Sequence, residues 1–257
     1  ASPLVDPYFA SKALLVAHAS GLDVRTAAQR WIDWLLAKQR PDGHFQRYTL
    51  HPESEVERRG EIAGYGGADA DDALLAVWVE LLSRLAACDG SLAALPPAWA
   101  RSLKLATGAL DELLDAGTGL YHISAQQPVA LLMDNVEVYS AWRHAAAFYA
   151  ACGEAGAAQS AQRRANDLAV NIDRAFWQRA ERRYSVSTQP RERHEFYPDG
   201  VAQFYPLLGD LPSRRSFESA DFSAWLRRHG EAWRSSARHD FPWGLVAVAA
   251  QRAGSRE

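Results

Sequence analysis

Four aspartates, Asp6, Asp69, Asp134 and Asp199, stand 63 (69 − 6), 65 (134 − 69) and 65 (199 − 134) residues apart, each at the start of an apolar run. A spacing this regular across a 257-residue chain marks a repeated supersecondary unit, which narrows the possible folds more than any single motif does. Three phrases repeat the connection between units: WIDWLLAKQRPDGHFQRY, ALDELLDAGTGLYHIS and NIDRAFWQRAERRYSVS each run from Asp after an aliphatic residue, through a helix end and a turn, into a β-type stretch. The predicted unit is one buried helix, one amphipathic helix and a short extended connection.

Hydrophobic periodicity predicts helices over Pro7–Ala19, Val24–Gln39, Asp69–Ala87, Pro96–Ala116, about 134–152, Ala155–Gln178, Asp199–Leu211, Ser219–Ser236 and Phe241–Ala253. The stretches HFQRY, LYHIS and RRYSVS read as extended, and the charged residues 49–68, ending in AGYGGA, read as a long surface loop. In LLMDNVEVYSAWRHAAAFYAACG the apolar residues cover both sides of the helix, so it is predicted to be buried nearly all round, whereas Ala155–Gln178 keeps a wet face. Asp134 followed by Glu137 reads as an Asp-x-x-Glu capping box at its start.

Alternating buried and half-buried hairpins predict an all-α fold, an α/α toroid with short β-type connections, complete or incomplete, in one domain spanning residues 1–257. An open solenoid is the alternative, but its concave helices would be more polar. With 48% hydrophobic residues the chain can bury a large core. A net charge of −3 argues against a nucleic-acid partner, and no apolar run reaches the length of about 18 residues that a membrane span needs. The first residue is Ala rather than Met, which suits a processed N-terminus and an expected secreted or periplasmic location, a cytoplasmic one otherwise. Cys88 and Cys152 are expected to be buried free thiols, with a disulfide between them the alternative.

In a toroid the buried helices run parallel, so the residues just before them line one mouth. Asp6, Tyr8, Tyr65, Asp69, Asp71, Asp72, Asp134, Glu137, Tyr197, Asp199, His239, Asp240, Phe241 and Trp243 would gather there. Aromatic faces stack on pyranose rings and carboxylates accept hydrogen bonds from hydroxyls, so such a mouth is suited to sugars. Each acid taken alone can be read as a helix cap, worth roughly 0.5–2 kcal/mol. The run Asp69-Ala70-Asp71-Asp72, however, offers three carboxylates where one cap suffices. No dinucleotide, Walker, zinc or calcium-loop pattern is present, so no cofactor and no metal are expected.

GADADDALLAVWVELL resembles the Asp-x-Asp helix start of the six-hairpin glycosidases, especially the bacterial family-eight cellulases and chitosanases, and LMDNVEVYSAWRHAA and FYPDGVAQFYPLLG resemble helix starts of the wider superfamily. By that resemblance Asp69 and Asp71 match the Asp-x-Asp pair facing the cleavage subsite. The expectation is an inverting glycoside hydrolase acting on a polysaccharide or oligosaccharide. Asp69, Asp71, Asp134 and Glu137 are its candidate catalytic carboxylates, and Tyr65, Asp72, Tyr197, Asp199, Asp240, Phe241 and Trp243 its substrate-binding residues. The alternative is a non-catalytic toroid module that binds glycans or a partner protein.

Overall fold

Local chemistry marks the start of several helical segments. A computed structural model describes residues 4–50, 62–88, 96–190, 195–212, 219–239 and 243–255. Pro opens α1 (Pro7–Ala19) and α4 (Pro97–Leu113), where its fixed φ suits a first turn and its missing N–H costs nothing. Asp6 caps α1 by accepting a hydrogen bond from the Tyr8 N–H at 2.9 Å. The other helices are α2 (Arg25–Leu36), α3 (Asp71–Cys88), α5 (Leu132–Ala151), α6 (Ala155–Phe176), α7 (Tyr205–Leu208), α8 (Ser219–His239) and α9 (Leu245–Arg252). The fold is mostly helical with a few short strands, as an all-α chain requires.

The repeat is visible in the backbone. Strands β1 (Leu4–Val5), β2 (Gln46–Leu50) and β3 (Ile62–Gly67) form one antiparallel sheet; β4 (Leu114–Asp115) pairs β5 (Leu120–Tyr121), and β6 (Trp177–Gln178) pairs β7 (Arg183–Tyr184). The last two hairpins correspond residue for residue: Trp177 takes the place of Leu114, and the left-handed residue in the turn is Gly119 at φ +68° in one and Arg182 at φ +52° in the other. A Cβ at Gly119 would meet the Asn171 side-chain amide, which would have to shift, and the left-handed backbone itself favours glycine there.

Burial sorts the helices into two layers. In α5 Val136, Val138, Ala141, Trp142, Ala145 and Phe148 are buried on opposite sides, while α6 buries a single stripe of Ala161, Ala165, Leu168, Ile172 and Phe176. Helices α1, α3 and α5 pack side by side, α7 joins α5, and α2, α4 and α6 cover the first three. Trp78 and Trp142 lie in the core, where burying a side chain of that size stabilises by about 2–3 kcal/mol. α1 departs from the all-round burial of its neighbours, with Phe9 and Val16 exposed.

The structure corrects several expectations. Helix α5 starts two residues before Asp134, with Leu131 at the cap position and no side-chain cap, so Asp134 and Glu137 do not form a capping box. The predicted helix over 199–211 is broken into a π-type turn, Phe196–Gly200, and the single turn of α7, because Pro198 and Pro206 interrupt the backbone hydrogen bonding. The 49–68 region contains β3, which pairs with β2 through a bulge at Tyr65. Cys152 is a free thiol but half-buried, just past the end of α5, and the Cys88 side chain lies outside the described residues.

Candidate functional site

The site arises from how the starts of the buried helices are satisfied. The Asp71 N–H donates to the Ile123 carbonyl at 2.8 Å, and the Leu132 N–H donates to the Val186 carbonyl at 2.9 Å. In both cases the chain just after a following hairpin supplies a backbone acceptor to orphan donors of a helix N-terminus. Asp134 makes no capping hydrogen bond in the first turn of α5, whereas Asp72 Oδ1 still accepts from the Ala73 N–H at 2.8 Å and only its second oxygen is left over.

Interactions advance in step along α1, α3 and α5: Asp6 feels the charge of Asp69 and Lys12 that of Glu80, while Asp72 feels Asp134 and Glu80 lies beside His144. The three helices therefore run parallel, with their N-terminal turns together. In the seam between them the Tyr8 hydroxyl and the Lys12 ammonium both donate to Glu137 Oε1, each at 2.7 Å. Asp72, Asp134 and Glu137 are all buried, yet Asp72 Oδ2, Asp134 Oδ2 and Glu137 Oε2 have no hydrogen-bond partner among the described residues. Three unmatched buried carboxylate oxygens are costly, and such clusters are retained where a ligand supplies the missing donors or where a proton is to be moved.

The electrostatics follow from that crowding. Burial, then the nearby charges of Glu137 and Asp69, push Asp134 up to about 8 against the opposing pull of Lys12. Burial and the charge of Asp134 likewise drive Asp72 well above the carboxylate range. The Tyr8 and Tyr205 phenols are raised by burial and then by Glu137, so both stay hydrogen-bond donors at neutral pH. Burial alone would lower the Lys12 ammonium, but Glu137 beside it and Glu80 and Asp134 beyond keep it above its ordinary value. Deeper along the seam, burial of Glu80 is outweighed by His144, Lys12, Ser140 and Arg84, which hold its carboxyl low.

Beside these acids stands an aromatic shelf. Tyr197 is 50% exposed and its ring lies 4.6 Å from that of Trp243, which is half-buried; burial, then Asp134, Asp69 and Glu137, raise the Tyr197 phenol. Asp69 is exposed just ahead of α3, close enough for its charge to act on both Asp134 and Tyr197. The structure thus brings together Asp69, Asp72, Asp134, Glu137, Tyr197 and Trp243 among the residues singled out in the sequence. Asp71 instead pairs with His44 at 3.6 Å, an interaction that raises the imidazole. Asp199 is buried, accepts a hydrogen bond from the Glu195 N–H, and lines clefts on the side of β7 and α8. The side chain of Tyr65, and Asp240 and Phe241 altogether, lie outside the described residues.

Lys12 and Tyr205 are the members of the seam that sequence reasoning passed over. The signal for Lys12 was present: it is the lone Lys or Arg of the apolar helix YFASKALLVAHA, and an ammonium set among apolar residues calls for a carboxylate partner. Among the described residues no group of three or more His, Cys, Asp or Glu is arranged to hold a metal ion, and no helix is long and apolar enough to cross a membrane.

No protein-family model matches the chain, and no curated protein matches it. Among solved structures it is similar to the crystal structure of a sugar epimerase from a ruminal bacterium, with a TM-score of 0.55 and 11% identity. The match covers 99% of this chain and 59% of the epimerase, so the chain spans less than two thirds of that protein's length. At that identity the likeness is one of fold: a helical architecture also used by a sugar-processing enzyme.

Proposed function

We propose that this protein acts on a polysaccharide or oligosaccharide at the α1–α3–α5 seam, with Asp134 as the proton donor. The observation that carries this reading is a buried carboxyl held protonated near neutral pH, one oxygen unpartnered, beside an exposed charged acid and an aromatic shelf. Cleavage of a glycosidic bond calls for one protonated and one ionised carboxyl on opposite sides of the sugar. Asp69 supplies the second group, since it sits on a different helix start. Glu137 lies three residues from Asp134 on the same helix, shares its face, and cannot flank the sugar from the other side. An acid and a base on separate elements leave room for a water between them, the arrangement of an inverting hydrolase. Tyr197 and Trp243 stack on the sugar.

On this reading the hairpins form an α/α toroid, one domain over residues 1–257, with the seam at its mouth, in a secreted or periplasmic protein. The fold shared with a sugar epimerase favours one second reading: removal of a proton from a sugar carbon and its return to the opposite face, by carboxyls of the seam that stand on different helix starts. The two readings part in a single experiment. Incubation of the protein with a panel of oligosaccharides, followed by proton NMR of the anomeric region, distinguishes new reducing ends from a new epimer. The hydrolase reading expects new reducing ends, lost in Asp134→Asn and Asp69→Asn. Epimer formation without cleavage would replace it, and binding without turnover would leave a glycan-binding module.

A further inference from the structure

Two clefts adjoin at Arg183 and Asp199, and neither is lined by residues of the acid seam. One, of ≈ 240 Å³, lies between the β6–β7 turn and α8 and is lined by Arg182, Arg183, Gln203, Trp225, Arg228 and His229. The other, of ≈ 330 Å³, is lined by Gln178, Ser185, Ser187, Thr188 and Gln189, a hydroxyl- and amide-rich wall. The acids in the first cleft already have partners: Glu181 accepts from Arg183 Nε at 2.5 Å, and Asp199 accepts from the Glu195 N–H at 3.2 Å. Arg182 and Arg228 are exposed and make neither a hydrogen bond nor an ion pair among the described residues.

The wall behind them is held by packing and one buried hydrogen bond. Trp225 Nε1 donates to the Gly200 carbonyl at 2.9 Å, and its ring centroid is 5.4 Å from that of His229. A Cβ at Gly200 would come within 3.3 Å of the His229 ring, so the glycine lets the imidazole close down on the backbone. Burial, then the Arg228 guanidinium, hold His229 below the ordinary imidazole range against the opposing pull of Asp199, so at neutral pH the cleft's positive charge comes from Arg182, Arg183 and Arg228, set against Glu181 and Asp199.

Arg182 carries a second, independent sign. Its backbone is left-handed at φ +52°, a conformation that favours glycine, and its counterpart in the preceding repeat is Gly119 at φ +68°. One turn of the repeat therefore has the residue its backbone prefers, and the other holds a guanidinium against that preference, as strained residues at ligand sites do.

We propose that this cleft is a binding site for the anionic group of a small polar ligand, a carboxylate or a phosphate ester, with Arg182 and Arg228 as its charged partners. Two guanidiniums recognise such groups by charge-assisted, bidentate hydrogen bonds, and the adjoining hydroxyl- and amide-lined cleft suits the polyol part of an acidic sugar. The site is separate from the seam and its occupancy needs no turnover there.

Isothermal titration calorimetry with glucuronate, glucose 6-phosphate and glucose tests this directly. The expected result is that at least one of the two anions binds about tenfold or more tightly than glucose, weakening as salt is raised. Glucuronate and glucose 6-phosphate separate the carboxylate from the phosphate source. Arg228→Gln and Arg182→Gly should each weaken anion binding about tenfold, the loss of a charge-assisted contact. The glycine variant suits the left-handed backbone, so an unchanged or higher melting temperature separates lost binding from lost folding. Asp134→Asn should leave anion binding unchanged, so failure of the seam's proposed chemistry and failure of this site are told apart. Anions that bind no better than glucose, or bind equally well to the double variant Arg182→Gly/Arg228→Gln, would overturn the proposal.

Discussion

Asp134 and Asn135 are adjacent in sequence, both buried in the first turn of α5, and their side chains meet opposite fates. Asn135 is fully satisfied: its Oδ1 accepts from the Tyr121 N–H at 2.8 Å, and its Nδ2 donates to the Tyr121 and Leu131 carbonyls, both at 2.9 Å. Gln203 grips Tyr184 in the same way, with both bonds at 2.9 Å, and Tyr184 holds the place in its hairpin that Tyr121 holds in the one before. Asp134 turns into the seam, where one oxygen lacks a partner among the described residues and the carboxyl is pushed up to about 8. One side of the helix turn clamps neighbouring units together and loses stability if altered; the other holds a strained set of charges at a cost in stability. Polar groups of the first kind build the fold, and groups of the second kind are where chemistry is to be sought.

Asp134→Asn separates these two kinds of polar group most sharply. Turnover should fall by several orders of magnitude, because the amide cannot donate the proton. Stability should move the other way. Between its unfolded value of 3.8 and about 8, Asp134 keeps a proton in the native state that the unfolded chain has released. Native stability therefore falls as pH rises through this window, by several kcal/mol at its upper end. The neutral amide escapes that loss, so the variant should melt above the wild type by a margin that widens from pH 5 to pH 8. A margin independent of pH, measured by calorimetry, would remove Asp134 as the titrating group.

Asn135→Ala should act in the opposite sense, destabilising by about 3 kcal/mol because the Tyr121 N–H and carbonyl are left buried and unpaired. Gln203→Ala, at a half-buried position, should cost about 1–2 kcal/mol by the same mechanism, and denaturant titrations read both. Equal losses would mean that the two clamps are not graded by burial.

Lys12→Met removes the partner of a buried carboxylate, a loss of about 3–5 kcal/mol for a fully buried pair. The Lys12 side chain is 36% exposed, so solvent screening reduces the expected loss to about 1–2 kcal/mol. The smallest effect is expected of Arg182→Gly, which relieves a left-handed backbone and should change stability by less than about 1 kcal/mol, in the stabilising direction. A drop in melting temperature there would show that the Arg182 side chain supports the hairpin.

Apart from the broken stretch 199–211, the helices and their layering were legible in the chain before any packing was known. Pro7, Pro97, Gly119 and Gly153 mark boundaries through backbone chemistry that acts within a few residues, and the all-round apolarity of 132–151 against the single stripe of 155–176 is a local pattern. The candidate acids were legible too, because charges crowded at helix starts stand out against their apolar runs. Which of those acids are free is a matter of long-range packing. Asp134 reads as a cap in sequence because an aspartate near a helix start usually satisfies orphan N–H groups; here the Val186 carbonyl, from the far side of the next helical hairpin, reaches the first N–H and leaves the carboxylate to the seam. In the same way His44 engages Asp71 while Tyr8 and Lys12 meet on Glu137, pairings set by how the elements pack and not by which residues are neighbours in the chain. Local propensity ends with the turn it acts in, whereas the charge on a buried group is fixed by whichever distant residues surround it.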